Sequence, residues 1–300
     1  MKKKTYLIAL MAMALTLGSC SDNENGIGGE TSKYITVSTS IGNMTRVATD
    51  ANGGQTFEEG VEISVYAWTG APTVAPETRE RVVNNAINKL TNGAWVATPQ
   101  MLWKNNRDKH YFIGVYPTAA ISDLSAGEYT FDVNKQTESD LLVAVNPDGL
   151  SYSADAQQTV PLTFTHVMAK LAVNLTYKNQ WGGIPTVEKV VVGNAAKEAT
   201  INYLTKVVTP STTAKEDFSL PEITENTKYV SVIIPQEEVK QLTIVIGGKN
   251  FVYDNGTPFK LESGKITTVN LEVGRDEIKL GDVKITDWED GSTFSGEAIN

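Results

Sequence analysis

Two histidines and one cysteine in 300 residues leave few groups for metal or nucleophilic chemistry. There is no His-Glu-x-x-His run and no histidine or cysteine pair, which excludes the common zinc sites. No G-x-S-x-G elbow and no glycine-rich phosphate loop ahead of a helix is present either. The single cysteine, Cys20, excludes disulfides within the chain, so packing must stabilise it. Basic residues are outnumbered, 26 Lys+Arg against 35 Asp+Glu for a net charge of -9, so no face is rich enough in cations to neutralise a nucleic-acid backbone. No apolar run reaches the ~20 residues of a membrane-spanning helix. Asp50-Ala51-Asn52-Gly53 and Asp254-Asn255-Gly256 contain calcium-loop residue types without the rest of a ligand set, and read as turns. His110 and His166 each head an apolar strand, where a structural role is expected. No catalytic residue, cofactor or metal site is expected.

What is present begins at the N-terminus. Lys2, Lys3 and Lys4 precede an apolar stretch from residue 6 to 17 broken only by Thr16, the layout of a secretory signal. Leu17-Gly18-Ser19-Cys20 resembles the lipobox of bacterial lipoproteins, which implies cleavage after residue 19 and lipidation of Cys20. Ser21-Asp22-Asn23-Glu24-Asn25 resembles the acidic tether that sends such proteins to the outer leaflet of the outer membrane. Residues 20 to 32 are nearly all polar or glycine and read as a flexible leash.

From Tyr34 onward, period-two alternation dominates. Ile35, Val37, Thr39 and Ile41 share one face, and Val61, Ile63, Val65 and Ala67 repeat the pattern. Similar runs recur at 141–145, 171–177, 230–234, 242–246 and 267–273, separated by turn residues such as Pro147-Asp148-Gly149, Gly182-Gly183 and Gly247-Gly248. Residues 81 to 90 place Val82, Val83, Ala86, Ile87 and Leu90 at helical spacing, yet Asn84, Asn85 and Asn88 are poor helix formers, and a strand is expected. Many short strands without a long helical period predict an all-β chain of sandwiches. The polar stretch 151–158 offers a seam, giving a signal peptide (1–19), a tether (20–32) and two sandwich domains (33–158 and 159–300).

Several segments, in order, resemble the fimbrillin family of Bacteroidetes, lipoprotein-derived pilins of type V pili. Thr45-Arg46 stands ahead of Phe57-Glu58-Glu59-Gly60-Val61-Glu62-Ile63-Ser64-Val65-Tyr66. Leu102-Trp103, His110-Tyr111-Phe112-Ile113-Gly114-Val115-Tyr116-Pro117 and Ser139-Asp140-Leu141-Leu142-Val143-Ala144 follow. Phe164-Thr165-His166-Val167-Met168-Ala169-Lys170-Leu171 and Ile285-Thr286-Asp287-Trp288-Glu289-Asp290-Gly291 complete the likeness.

The resemblance implies two tandem transthyretin-like β-sandwiches in a subunit of a cell-surface filament, with other fimbrial subunits, the outer membrane and host or bacterial surface ligands as its partners. It also implies that a protease cuts after Arg46, removes the strand of Tyr34, Ile35, Val37, Thr39 and Ile41, and leaves a groove that accepts a strand from a neighbour; the alternative, for an anchor or tip subunit, keeps this as an ordinary first strand and Arg46 as a solvated loop residue. At the other end, Ile278 and Leu280 alternate on even positions and Val283 and Ile285 on odd ones, so a bulge is expected at Gly281-Asp282. Residues 289 to 300 hold only Phe294 and Ile299 as large apolar side chains, a poor donor pattern, which leaves 279–288 as the other candidate. Trp68, Trp95 and Trp103 read as core, whereas Trp181, beside Gly182-Gly183, is the candidate for an exposed contact. A surface glycan-binding lipoprotein of a nutrient-uptake system is the alternative, since it too places β-sandwiches behind a lipid anchor.

Overall fold

The computed structural model describes residues 33–42, 48–49, 55–153 and 158–288. Cys20, Arg46, the signal, the tether and residues 289–300 lie outside them. The strands are β1 (Thr36–Ile41), β2 (Ala48–Thr49), β3 (Gln55–Thr56), β4 (Glu62–Thr69), β5 (Arg81–Thr91), β6 (Ala94–Thr98), β7 (Lys109–Tyr116), β8 (Gly127–Thr130), β9 (Leu142–Ser151) and β10 (Thr159–His166). They continue as β11 (Ala169–Tyr177), β12 (Val187–Ala196), β13 (Glu198–Asn202), β14 (Val207–Pro210), β15 (Lys215–Ser219), β16 (Glu222–Thr224), β17 (Lys228–Ile233), β18 (Gln236–Ile246), β19 (Lys249–Leu261), β20 (Lys265–Val273) and β21 (Ile278–Asp287). Among the described residues no helix is long and apolar enough to cross a membrane.

Seven strands form one sheet in the order β1-β10-β9-β7-β4-β5-β6. The later strands form a five-stranded sheet, β16-β17-β11-β20-β21, and a four-stranded sheet, β15-β12-β18-β19, while β14-β13-β8 make a small third one. Alternation decides which side chain faces which core. Ile63, Val65 and Ala67 of β4 point into one cluster together with Phe112, Leu142, Ala144 and Phe164. Tyr66 and Trp68 of the same strand point the other way, joining Ile113, Val115, Val143 and the apolar faces of the later sheets. The large sheet is therefore covered on both sides. It also curls: β1 at one edge touches β6 at the other, where Trp95 Nε1 donates to Thr39 Oγ1 at 3.1 Å.

The all-β expectation holds, as does the strand expected at 81–90, and two local expectations are corrected. The helical spacing at 81–90 is produced by a bulge in β5. Val65 pairs with Ala86 and Ala67 with Val83, so Asn84 and Asn85 together face the single residue between, and Asn85 takes a positive φ of 57°. Val83 and Ala86 are thereby both buried at a separation of three. Pro147-Asp148-Gly149 and Asp254-Asn255-Gly256 are not chain reversals but irregularities within β9 and β19, because β7 and β18 respectively keep pairing past them.

The seam at 151–158 is the second correction. Strand β10 follows it yet pairs with β9 and β1 in the first sheet, so the stretch is a connection between neighbouring antiparallel strands. A polar inter-strand loop and a polar linker have the same composition, which is why the two look alike in sequence. The halves are further joined by pairing of β8 with β13 and by a core that runs from Tyr66 and Ile113 to Val173 and Ile244 without a break.

Candidate functional site

Strand β1 has the sequence Thr-Val-Ser-Thr-Ser-Ile, β-branched at four of six positions, which suits an extended backbone. It lies parallel to β10, from Thr36 opposite Thr159 to Ile41 opposite Phe164. Just before it the chain crosses to the opposite rim: Ile35 N–H donates to the Met101 carbonyl at 3.0 Å, and Trp103 N–H donates to the Lys33 carbonyl at 3.2 Å. The segment thus bridges both edges of the curled sheet.

The four predicted inward positions face the interior. Ile35 is 1%, Val37 6% and Ile41 6% exposed, and Thr39 takes the hydrogen bond from Trp95. Tyr34 is half-buried and pairs with Leu102. These knobs fill a cluster that contains Phe57, Trp103 and Phe164. The alternate positions Thr36 and Ser40 meet Thr159 and Thr163 of β10 at 3.3 and 3.0 Å, hydroxyl to hydroxyl. Burying three aliphatic side chains contributes about 5–9 kcal/mol. That is comparable to the whole stability of a typical domain, about 5–15 kcal/mol. Losing the strand would also leave one side of β10 without its pairing partner, an open edge of the kind that attracts another strand.

The other terminal strand is held quite differently. Strand β21 is an edge paired only with β20, and the expected irregularity lies at Gly281-Asp282: Val269 pairs with Val283 and Leu271 with Leu280, leaving Asn270 opposite two residues. Asn270 Nδ2 donates to Asp282 Oδ1 at 2.6 Å across it. Ile278 and Leu280 pack against the main core, but Val283 and Ile285 are 39% and 40% exposed.

Its anchor is the residue that follows. Trp288 is 1% exposed, its indole stacked on the His166 imidazole with centroids 3.7 Å apart and planes within 7°. The Lys170 ammonium stands 4.1 Å from the centre of the same indole. His166 Nδ1 is in turn 2.6 Å from Asp140 Oδ1. An anchor at the end of a weakly buried strand is not visible to periodicity; a tryptophan after a run of polar and β-branched residues is the available signal.

The remaining candidates are structural in placement. His110 Nε2 accepts the Lys104 N–H at 3.1 Å, Nδ1 faces the Asp108 carbonyl at 3.1 Å, and burial pushes its pKa down, so the neutral ring is a packed strut beside Trp103. Trp68 and Trp103 are buried and Trp95 packs against the first-strand cluster, as expected. Trp181 is half-buried, with Nε1 donating to the Val273 carbonyl at 2.9 Å and Phe251 at 5.8 Å, so its ring is packed more than presented. Among the described residues no group of three or more His, Cys, Asp or Glu is placed to hold a metal.

A model of the fimbrillin-like family matches residues 45–288. No curated protein matches the chain. Among solved structures, a Bacteroides ovatus protein provisionally assigned to cell adhesion superposes with a TM-score of 0.61 at 17% identity, covering 85% of this chain and 98% of its own. A Bacteroides uniformis protein of the same description gives 0.60 at 19% identity over 84% and 99%. A fimbrial protein from Bacteroides vulgatus gives 0.53 at 12% identity over 84% and 99%. At these identities the likeness is one of fold.

Proposed function

We propose that this chain, which belongs to the fimbrillin-like family, joins its neighbours in a cell-surface fimbrium by exchange of its first strand. The observation that carries this reading is β1. It is a short edge strand that fills a core with three apolar knobs and is followed within five residues by Arg46, so one cut after that arginine would free a covalently separate plug. The vacated site runs from β10 to residues 101–103 and would be both apolar and lined by unpaired backbone groups. A donated strand supplies both kinds of partner at once. Strand β21 is the better candidate donor than the tail, since its outer half is exposed and β20 is its one strand neighbour, and donation would also release Trp288 from His166 and Lys170.

The exported, lipid-anchored state rests on the Leu17 to Cys20 pattern and places the subunit on the outer membrane before assembly. We read the protein as structural and non-enzymatic. Glycan binding has no specific support, since Trp181, the candidate contact, is packed against Phe251. The test is Arg46→Ala in the native cell: fimbriae should lose this subunit, which should accumulate uncut at the membrane. Filaments with unchanged content of the mutant subunit would overturn the assignment of Arg46 as the trigger.

A further inference from the structure

The four inward positions of the first strand are not equivalent. Ile35, Val37 and Ile41 are apolar, but Thr39 stands third in the row, and its hydroxyl accepts the Trp95 Nε1–H at 3.1 Å where the curled sheet closes on itself. Both residues are half-buried. An indole nitrogen only donates, so an apolar side chain in the place of Thr39 would leave this N–H unpaired. The donor is held by groups that do not belong to β1. Trp95 sits in β6 opposite Leu90 of β5, and its ring meets Phe57 edge-on, with centroids 5.6 Å apart and planes at 85°. Phe57 in turn meets Phe164 of β10 at 5.1 Å and 89°.

We propose that Trp95 is the selectivity residue of the first-strand site: a strand donated by another subunit must place apolar side chains where Ile35, Val37 and Ile41 stand and a hydrogen-bond acceptor where Thr39 stands. This rests on the reading of β1 as an exchangeable strand. Shape alone discriminates little here, because pockets for Ile, Val and Ile at two-residue spacing accept many alternating strands. They also accept one strand in registers that differ by two residues, since such a slip keeps the same face inward. A fixed N–H removes that degeneracy. It penalises any strand, and any register, that brings an aliphatic side chain to the third position, and it favours a hydroxyl, amide or carboxylate oxygen. The outward positions add less, since Thr36 and Ser40 meet only threonine hydroxyls of β10 in exposed contacts. Strand β21, read in the direction of β1, meets the first three requirements with Val283, Ile285 and Asp287 and departs at the fourth, Glu289.

The test uses the full mature chain in a Cys20→Ser background, so that no lipid is attached, with a site-specific protease sequence in place of residues 43–46. After cutting, labelled peptides of residues 33–42, native and Thr39→Val, compete with the severed strand for its groove. The native peptide should be held about three- to tenfold more tightly. Trp95→Phe, which retains an aromatic ring beside Phe57, should bring the two peptides level by weakening the native one. Equal uptake of both peptides by the Trp95 protein, or a preference that survives Trp95→Phe, would overturn the role of Trp95 and leave strand exchange standing. A cut chain that takes up neither peptide would overturn strand exchange and this proposal with it. The uncut chain gives a reading free of exchange. Thr39→Val should lower its unfolding constant's margin about threefold or more when Trp95 is present and not in the Trp95→Phe background, measured by urea unfolding; the same effect in both backgrounds would refute the contact on which the selectivity rests.

Discussion

A single carboxylate placed at Val173 tests whether the two halves share one core. Val173 is fully buried in β11, between Tyr229 of β17 and Val269 of β20, in the cluster that also contains Tyr66 and Ile113 of the first sheet. Val173→Asp loses about 1.5–3 kcal/mol of apolar burial. The new carboxyl has no polar partner there, which costs about 1–3 kcal/mol more. Keeping it neutral at pH 7, about three units above its usual pKa, costs about 4 kcal/mol. Together these approach the full stability of a typical domain, so the variant should be unfolded or nearly so at pH 7. The sign with pH follows: the folded-state pKa is raised, so the protonation cost is absent below pH ~4 and grows as pH rises toward the folded value. Urea unfolding followed by tryptophan fluorescence at pH 7 and pH 4 reads both effects, and Val207→Asp, at a 54% exposed site, is the matched control expected to lose less than about 1 kcal/mol. Because the core is continuous, the signals of Trp68 and Trp181 should be lost together. A Val173→Asp protein of unchanged midpoint, or one in which the first sheet survives intact, would refute the shared core.

Trp288→Ala removes the indole held by His166 and Lys170, a loss of about 3–5 kcal/mol concentrated on one edge strand. Trypsin should then cut at Lys279 or Lys284 in otherwise folded protein, and resistance equal to wild type would contradict the anchor. Burial pushes the Tyr203 pKa up to about 12 from its ordinary 10, and Tyr66, Tyr129 and Tyr177 shift in the same direction for the same reason. The folded form thus holds protons that the unfolded form releases, and stability should fall as pH rises from 10 through 12. Every tyrosine titrating at one midpoint near 10 in a folded protein, read by absorbance at 295 nm, would refute that burial. Cys20→Ala should leave the protein uncleaved or release it from the membrane fraction, and equal incorporation of labelled fatty acid by mutant and wild type would end the lipoprotein reading.

Much of this architecture was legible in the chain because alternation reports burial directly. The inward face of β1, Ile35 to Ile41, follows from spacing alone, as does the break in β21 at Gly281-Asp282. What failed, failed where local chemistry has two meanings. Pro147-Asp148-Gly149 has turn composition although β9 continues past it. The polar connection before β10 resembles a linker because either must be solvated. The contact of Trp288 with His166 joins residues more than a hundred positions apart. No pattern confined to one segment encodes such an arrangement.

The central claim is that the first strand is a removable plug. The direct measurement is the N-terminal residue of this chain taken from assembled native fimbriae. The account predicts Val47, with the strand carrying Ile35, Val37 and Ile41 absent and its place taken by a neighbour. A filament-borne chain that still begins at Cys20 and retains residues 34–41 would contradict it.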